Sequence, residues 1–405
     1  MQGPQRRLAA LACVALALAL VVSPRPAAGA PDPPPELPAR AWILVDASDG
    51  EVLAAHRAAS SYPVASTTKL MTALVARHDL RLGETVTAPA YDALPAESLL
   101  GLQAGERIEV RDLLTGMLLV SGNDAAEALA EAAAGSVPAF VAQMNREARR
   151  LGLDDTSYAN PIGLDDPGNY SSAEDLARLA IRMRSDRLFR RIFASPDAVL
   201  RSGDHVREVE NRNALVGSVP GINGVKTGYT LGAGYVLVGS ATRKGVTLVS
   251  AVLGASSEAE RDGSTVTLLD YGFSRYQRKT PVRRGERLAS ASVRYQGERL
   301  PLIATKTVAL TVRKGQRLAT SVAAPDQVEG PIERGERLGK ATVRLDGDPV
   351  GRVPLVAGRP VDAATILERY DAAIPGSRVV AVALAVAVVA SIVALAAWLF
   401  ARRRR

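Results

Sequence analysis

Two long apolar runs lie near the two ends of the chain, and shorter hydrophobic patterns fill the sequence between them. The first run, residues 8–22, follows Arg6 and Arg7 and precedes Ala28-Gly29-Ala30, which is typical of a secretory signal peptide with small residues at its cleavage site. The second run, residues 379–400, holds 22 residues without a charge. At ~1.5 Å per residue, a helix over that run is about 33 Å long, which predicts one transmembrane span.

Residues 41–274 show the patterns of an α+β domain. The runs 42–46 and 52–57 stand on either side of Asp49-Gly50, which predicts a β-hairpin. Helical spacing from residue 67 to residue 82 predicts a helix that enters a core. Further helical stretches are predicted at 111–134, 136–151 and 172–183, and two strands at 234–242 and 246–254. We therefore expect helices plus a mostly antiparallel sheet whose strands come from both ends of the domain.

Residues 275–370 alternate short β-rich runs with Gly and Pro, and the segment repeats itself at an offset of 50 residues. The sequence Arg-Gly-Glu-Arg-Leu occurs at 284–288 and again at 334–338, and a partial third copy stands at 313–318. The repeat predicts a small all-β domain, a β-sandwich of hairpin units. Because the segment holds no evident catalytic set, we expect its role to be positional.

The predicted organisation follows one order along the chain. It comprises a signal peptide at 1–30, a Pro-rich leader at 31–40, the α+β domain at 41–274, the β-rich domain at 275–370, a linker at 371–378, a transmembrane helix at 379–400 and an arginine tail at 401–405. Four arginines directly after a span favour the cytoplasmic side. The prediction is therefore a single-pass protein of the cell membrane with its bulk outside the cytoplasm. A buried core helix is the alternative for 379–400.

Charge and cysteine content refine this picture. The net charge of +8 is concentrated at the chain ends and gives no reason to expect nucleic-acid binding. Residues 31–273 hold 23 basic and 31 acidic side chains, whereas residues 274–370 hold 19 and 10. This asymmetry supports a boundary near residue 275, and the basic segment either contacts an anionic lipid or wall polymer or is a solvated face. Cys13 lies inside the first apolar run, which predicts no disulfide and disfavours a lipoprotein cysteine.

A candidate nucleophile and a candidate base lie three residues apart in Ser66-Thr67-Thr68-Lys69. A serine hydroxyl needs a base to take its proton. The chain has three histidines, none in a recognisable hydrolase motif, so a Ser-His-Asp triad is disfavoured. On a helix, positions i and i+3 share a face, so Lys69 can approach Ser66. Burial and a second cation, for which Lys226 is the candidate, would lower the pKa of Lys69 enough for it to act as the base.

Two further motifs complete an inventory for acyl transfer without histidine. In Ser121-Gly122-Asn123, we predict that Ser121 relays a proton to the leaving amine and that Asn123 binds the substrate backbone and steadies Lys69. In Lys226-Thr227-Gly228, Lys226 and Thr227 would hold a substrate carboxylate, and Gly228 would let substrate lie against the strand. The N–H groups of Ser66 and Tyr229 would form an oxyanion hole. Each motif alone also fits a helix start, a cap or a turn, but their combination favours an active site.

With these motifs the chain resembles the D-alanyl-D-alanine carboxypeptidases, the low-molecular-mass penicillin-binding proteins that trim peptidoglycan. The residues that carry the resemblance are 63–72, 120–126, 160–165, 171–177 and 224–230. The resemblance covers residues 42 to about 273 and implies a β-lactamase/transpeptidase-like fold. The family often has His where Ile162 and Tyr229 stand here, and neither difference removes a catalytic group. By resemblance, Arg261 is a candidate to bind the terminal carboxylate of the substrate.

The resemblance implies serine acyl transfer without a metal or other cofactor. Ser66 would attack the carbonyl between the last two D-alanines of a peptidoglycan stem pentapeptide, the terminal D-alanine would leave, and water would hydrolyse the acyl-enzyme. β-Lactams would acylate Ser66 and stall there. The sequence leaves open the diamino acid of the stem peptide, the oligomeric state and the partner of the β-rich domain.

Three other functions are compatible with parts of this motif set. D,D-endopeptidase activity on peptide cross-links uses the same chemistry, and the sequence does not exclude it. A β-lactamase of the related class would need a Glu followed four residues later by Asn, a spacing that this chain lacks. A non-catalytic wall-sensing module is disfavoured by the complete motif set and by the five residues that follow the predicted span.

Overall fold

The computed structural model describes residues 33–373 and 377–402, so the predicted signal peptide with Cys13 and the last three arginines lie outside the described residues. The strands of residues 41–274 are β1 (Ala41–Asp46), β2 (Val52–His56), β3 (Thr85–Thr87), β4 (Arg107–Glu109), β5 (Asp197–Leu200), β6 (Arg207–Glu210), β7 (Ile222–Thr230), β8 (Gly234–Arg243) and β9 (Val246–Ala255). The helices are α1 (Lys69–Asp79), α2 (Val110–Leu119), α3 (Asn123–Ala134), α4 (Val137–Arg150), α5 (Ala173–Arg184), α6 (Arg187–Phe193) and α7 (Glu258–Ser274).

A five-stranded antiparallel sheet, in the order β2-β1-β9-β8-β7, separates two apolar layers. Along β1, Ile43 and Val45 face the core that helices α1 to α6 complete, whereas Trp42 and Leu44 face the core of α7. Successive side chains of a strand point to opposite faces, so both faces of this sheet are covered by helices. The sheet draws β1 and β2 from one end of the segment and β7 to β9 from the other, which confirms the predicted α+β fold.

The sequence pattern missed helix α7, the short helix α6 and the β5–β6 hairpin. Helix α7 begins at a capping serine, since Ser257 Oγ accepts a hydrogen bond of 3.1 Å from the Glu260 N–H. Its sequence contains Gly263 and the β-branched residues 265–267, which are weak helix formers, so packing rather than propensity decides its structure. Gly272 lets α7 approach the sheet, because a Cβ there would lie 2.6 Å from a methyl group of Leu44.

Residues 276–357 form a second, all-β part. Its strands are β10 (Tyr276–Val282), β11 (Arg287–Val293), β12 (Arg299–Ala304), β13 (Val308–Arg313), β14 (Leu318–Ala323), β15 (Gln327–Val328), β16 (Arg337–Leu345) and β17 (Asp348–Ala357). Six of them form one sheet in the order β14-β16-β17-β12-β11-β15, and β10 pairs with β13 as a separate ribbon. Side chains from the ribbon pack with one face of the sheet in a common apolar core.

The sequence repeat corresponds to one recurring turn. Gly285, Gly315 and Gly335 all have positive φ, with values of 83°, 100° and 90°. In each copy, the side chain after the glycine accepts a hydrogen bond from the backbone N–H three residues earlier. The three acceptors are Glu286 (2.8 Å), Gln316 (2.8 Å) and Glu336 (3.1 Å). Glycine adopts the left-handed backbone conformation without strain, and the Glu or Gln side chain closes the turn with its hydrogen bond. This explains why the repeat keeps those two positions.

Two helices follow the all-β part. Helix α8 (Ile366–Ala373) begins inside the predicted β-rich segment and occupies part of the predicted linker. Helix α9 (Ser377–Arg402) contains a stretch, Val380–Phe400, that is long and apolar enough to cross a membrane. The domain boundaries drawn from the sequence, with α8 as the exception at 366–373, remain predictions.

Candidate active site

Ser66 lies in a 3₁₀ turn, Ala65–Thr68, that leads directly into helix α1. Ala65, the residue before the serine, has a φ of 49°. Thr67 Oγ1, on the residue after it, donates a 2.7 Å hydrogen bond to the Val64 carbonyl and so stabilises the turn. A non-glycine residue with positive φ is uncommon and is often found at functional sites. Lys69 is the first residue of α1, which places both side chains on one face as the spacing predicted.

The Lys69 amine is fully buried and has three polar neighbours. Its Nζ lies 3.1 Å from Ser66 Oγ, 2.5 Å from Asn123 Oδ1 and 2.5 Å from the Ile162 carbonyl oxygen. The amide oxygen and the carbonyl can only accept, so they engage two N–H groups of the amine. If the amine is neutral, its lone pair is left for the hydroxyl of Ser66.

Burial lowers the pKa of Lys69 well below its ordinary value, and the charge of Lys226 lowers it further. Both causes were predicted from the sequence. Two carboxylates, Glu97 and Asp124, act in the opposite direction. The net shift favours the neutral amine, which is the form that can accept a proton from Ser66.

The second motif forms the connection between helices α2 and α3, next to Lys69. Ser121 has a φ of 67°, and its Oγ is buried without a hydrogen-bond partner among the described residues, so the hydroxyl is free to bond a substrate group. Asn123 is the first residue of α3, and its Nδ2 donates a 2.6 Å hydrogen bond to Glu97. That bond orients the amide so that Oδ1 faces Lys69. Asn123 thus contacts the amine as predicted.

The loop between β3 and β4, residues 88–106, forms a wall of the site. Asp124 holds it by accepting hydrogen bonds from three successive N–H groups, those of residues 100–102, at 2.8–2.9 Å. Glu97 belongs to this loop and also accepts a hydrogen bond from the Tyr91 hydroxyl. Burial would raise the pKa of Glu97, but the hydrogen bonds from Tyr91 and Asn123 outweigh it and lower the pKa. The carboxylate is therefore held ionised.

The third motif lies on β7, the edge strand of the sheet beside the Ser66 turn. Lys226 is fully buried, and its Nζ donates a 3.0 Å hydrogen bond to the Thr227 carbonyl. Burial, with Arg212 and Arg261 nearby, lowers its pKa to about 7. Arg261 is itself 3% exposed and pairs with Glu258 at 2.7 Å and Asp262 at 2.8 Å. Arg212, Arg261 and the protonated form of Lys226 would attract an anion bound here, whereas Glu258 and Asp262 would oppose its binding.

Gly228 serves a purpose that the sequence did not indicate. A Cβ at this position would lie 3.0 Å from the Val64 carbonyl oxygen and 3.1 Å from the Ser66 nitrogen, so the glycine lets the strand pack against the turn that holds Ser66. Its neighbour Tyr229 is 51% exposed and packs on Tyr235 with ring centroids 4.4 Å apart. Strand β7 therefore brings the third motif up to Ser66 at the rim of the site.

A cleft of about 340 Å³ joins the three motifs. Six of the nine residues predicted from the sequence line it: Ser66, Ser121, Thr227, Gly228, Tyr229 and Arg261. The remaining three, Lys69, Asn123 and Lys226, lie buried behind this surface. The structure adds Glu97 behind the site and Arg212 and Glu258 in its lining, and none of them was predicted. No short motif marks these three residues, although a 19-residue loop without regular structure is itself a sign of function for Glu97.

Comparison with known proteins relates both parts of the chain to one kind of protein. The family described as D-alanyl-D-alanine carboxypeptidase matches residues 28–257, and the family described as penicillin-binding protein 5, C-terminal domain, matches residues 276–363. D-alanyl-D-alanine carboxypeptidase DacF from Bacillus subtilis is 32% identical over 285 residues, which are 69% of this chain and 73% of that relative. DacC from Escherichia coli is 36% identical over 260 residues, 62% of this chain and 64% of that relative.

Solved structures agree with these matches. Penicillin-binding protein 5 from Haemophilus influenzae has a TM-score of 0.59 and 30% sequence identity to this chain. The superposition covers 82% of this chain and 99% of that one, so it includes the all-β part as well as the part that holds the cleft.

Proposed function

Because this chain belongs to the D-alanyl-D-alanine carboxypeptidase family, we propose that it removes the terminal D-alanine of peptidoglycan stem pentapeptides through an acyl-ester on Ser66. The chain is a serine-type D-Ala-D-Ala carboxypeptidase of the penicillin-binding kind. The observation that carries the residue assignment is the contact of 3.1 Å between Lys69 Nζ and Ser66 Oγ, with the other two amine contacts made to oxygen acceptors.

In the acylation step, the Lys69 lone pair takes the proton of the Ser66 hydroxyl as its oxygen attacks the carbonyl carbon of the scissile amide. The backbone N–H groups of Ser66 and Tyr229 are the proposed donors to the oxyanion. Strand β7 supports this role, because an edge strand leaves N–H groups on its free side unpaired by a neighbouring strand. The tetrahedral intermediate then collapses, the C–N bond breaks, and the amine of the terminal D-alanine needs a proton.

We assign the relay of that proton to Ser121, whose buried hydroxyl faces the cleft. The hydroxyl gives its proton to the leaving amine and takes up the proton that Lys69 removed from Ser66, so both side chains return to their starting forms. Asn123 holds the Lys69 amine in place and binds the peptide backbone of the substrate. The carboxylate of the leaving D-alanine is proposed to bind Lys226, Thr227 and Arg261. A bound carboxylate favours the charged form of Lys226, so substrate binding would raise the lowered pKa of that amine.

The stem peptide is the proposed substrate and β-lactams are proposed covalent inhibitors, because both present a carbonyl to Ser66 next to a carboxylate. Helix α9 is the proposed membrane anchor, with the cleft on the extracytoplasmic side, where peptidoglycan lies. The four arginines after the apolar run support this orientation.

Substitution of the nucleophile tests the assignment. Ser66→Ala is expected to abolish both covalent labelling by a fluorescent penicillin and D-alanine release from a pentapeptide. Ser98→Ala removes another hydroxyl at the cleft wall and serves as the matched control, which should still label. Labelling of the Ser66→Ala variant at the normal rate would refute the assignment. Mass spectrometry of the labelled wild-type peptide then identifies the esterified residue directly.

Two further measurements distinguish the related activities. Cross-linked dimer muropeptides, offered in place of the pentapeptide, measure endopeptidase activity. A β-lactamase would release hydrolysed penicillin in many turnovers, whereas a carboxypeptidase of this kind should retain a long-lived adduct on Ser66.

A further inference from the structure

The six-stranded sheet of the all-β part leaves one of its two faces uncovered. Ala341 and Val343 of β16 pack in the apolar core, whereas their neighbours in sequence on β16 point away from it. Across the strands, Lys340 pairs with Pro354 and Thr342 with Arg352, so these residues share the outer side. We call this side the open sheet face and define it by Arg299, Ile303, Lys340, Arg344, Arg352 and Val356.

The open sheet face carries cations without carboxylates. Arg299, Lys340, Arg344 and Arg352 are all exposed, and within the described ranges none of the four forms an ion pair. The strands of this sheet hold one acidic residue, Asp348, at the start of β17. Charge complementarity therefore favours an anionic partner, and the extended shape of the sheet favours a partner with a flat surface.

The candidate membrane span would bring a flat anionic surface, the membrane, close to this part of the chain. Arg369 of α8 donates a 3.1 Å hydrogen bond to Glu329 and lies over the ring of Tyr295, which ties α8 to the β15 edge of the sheet. The candidate span begins at Val380, 11 residues after Arg369. Residues 369–373 and 377–380 are helical and rise ~1.5 Å each, and the short connection between them extends at most ~3.6 Å per residue, so Arg369 and Val380 lie at most about 25 Å apart. Six strands spaced ~4.8 Å apart are about 25 Å across, so the whole face lies within reach of the membrane surface.

We propose that the open sheet face docks onto the anionic phospholipid headgroups of the membrane that α9 crosses. This proposal rests on the membrane anchoring proposed for α9. Docking would fix the height and the orientation of the cleft above the bilayer, so the enzyme would work on peptides close to the membrane.

The expected free energies of binding favour a lipid surface over a free polymer. Each Lys or Arg near an anionic leaflet changes the binding equilibrium by about fivefold. A tethered face meets the bilayer at a high effective concentration, because the span has already removed most of the freedom that binding would cost. A soluble polymer gains the same contacts but bears the full cost of association. A few cations are therefore enough to hold the face on the lipid surface, but they would bind a soluble polymer only weakly.

The test uses the full chain in nanodiscs and one photoreactive probe. Cys13 is the only cysteine of the sequence, so Thr342→Cys in a Cys13→Ser background can carry a single benzophenone on the open sheet face, between Lys340 and Arg344. We expect at least about tenfold more lipid cross-linking in discs of phosphatidylcholine with 30% phosphatidylglycerol than in pure phosphatidylcholine discs. In 1 M NaCl, where the screening length falls to about 3 Å, the difference should disappear.

Charge reversal supplies the matched comparison. The triple variant Lys340→Glu, Arg344→Glu, Arg352→Glu should lose the cross-link. The control, Arg278→Glu, Lys279→Glu, Lys314→Glu, changes the net charge equally on the β10–β13 side and should keep it. Penicillin labelling at Ser66 in both variants checks that the chain is folded.

Three results would overturn the proposal. The first is equal cross-linking in the two kinds of disc, and the second is an unchanged cross-link in the open-face variant. The third is competition: added soluble poly(glycerol phosphate) abolishes the lipid cross-link because it binds the face more tightly than the lipid does. Failure of α9 to insert is a separate outcome, because the protein would then be absent from the discs altogether.

Discussion

At the scale of single residues, the proposal that Lys69 is the base predicts the pH range in which the enzyme works. The folded state lowers this pKa well below the ordinary 10.5, so the neutral amine forms at lower pH than in the unfolded chain. We expect the rate of penicillin acylation to rise with pH through the folded pKa and to level off well below 10.5. A profile whose rise is centred near 10.5 would contradict this role for Lys69.

The same shift affects stability. Between the folded pKa of Lys69 and 10.5, the unfolded chain binds more protons than the folded chain, so this group makes stability rise with pH across that range. Below the folded pKa, the buried amine is charged and its full cost is present. The buried amine therefore destabilises the fold under acidic conditions, as expected for a proposed active-site group that is retained for activity and not for stability.

The charges around Lys69 should move the pH profile in opposite directions. Lys226 and Arg212 lower the pKa of Lys69, whereas Glu97 and Asp124 raise it. Glu97→Gln should therefore shift the rise of acylation to lower pH, and Lys226→Met should shift it to higher pH. The midpoint of the rise is the quantity to measure, because both variants also change its height. Shifts in the same direction would show that another group controls the profile.

Glu97 also has a positioning role that its charge does not explain. It accepts the hydrogen bond from Asn123 Nδ2, and this bond turns Oδ1 toward the Lys69 amine. Glu97→Ala leaves the amide free to turn over and should lower the acylation rate by about a hundredfold, the usual effect of a small misplacement in an active site. Glu97→Gln keeps an acceptor and should recover most of the rate. If the two variants were equally slow, the charge and not the orientation would be what matters.

At the scale of elements, the contact between β7 and the Ser66 turn joins the sheet to the proposed nucleophile. Gly228→Ala would place a Cβ 3.0–3.1 Å from atoms of residues 64–66, so either the strand or the turn must shift by a few tenths of an ångström. We expect a larger loss in acylation than in stability, measured by penicillin labelling and thermal unfolding. Gly263→Ala in α7 meets no atom within 4 Å and should stabilise the fold by about 0.5–1 kcal/mol, as expected for alanine in a helix. Normal labelling of Gly228→Ala would show that this contact tolerates a side chain.

The sequence predicts elements well where a local pattern and a tertiary role coincide. The helix after Ser66 and the β8–β9 hairpin were predicted because their spacing or turn residues are local. Helix α7 was missed because its residues are weak helix formers and the sheet stabilises it from outside. The same limit applies to Glu97, whose partner Asn123 is 26 residues away, and to Arg212, since only folding brings them to the site.

At the scale of the whole molecule, a few polar contacts join the all-β part to the first strand of the catalytic part. The Tyr276 hydroxyl donates a hydrogen bond to Asp46, and Arg313 forms an ion pair of 2.9 Å with Asp49. Burial raises the pKa of the Tyr276 hydroxyl, and its bond to Asp46 raises it further, so the phenol stays neutral and keeps donating. Since Asp46 and Asp49 lie at the β1–β2 turn, removal of residues 275–405 would leave both carboxylates without these partners.

Removal of the anchor alone should have a different result. Deletion of 379–405 keeps both contacts at the β1–β2 turn and every residue of the cleft, so we expect a soluble protein that releases D-alanine from a free pentapeptide at the rate of the full chain. The truncated Ser66→Ala protein is the control for activity from contaminants. In the wall of intact cells, stem peptides should be cut over a wider range of distances from the membrane, because the cleft is no longer held at one distance from it. A truncated protein that labels poorly with penicillin although it unfolds cooperatively would mean that α9 helps to form the site, beyond its role as a tether.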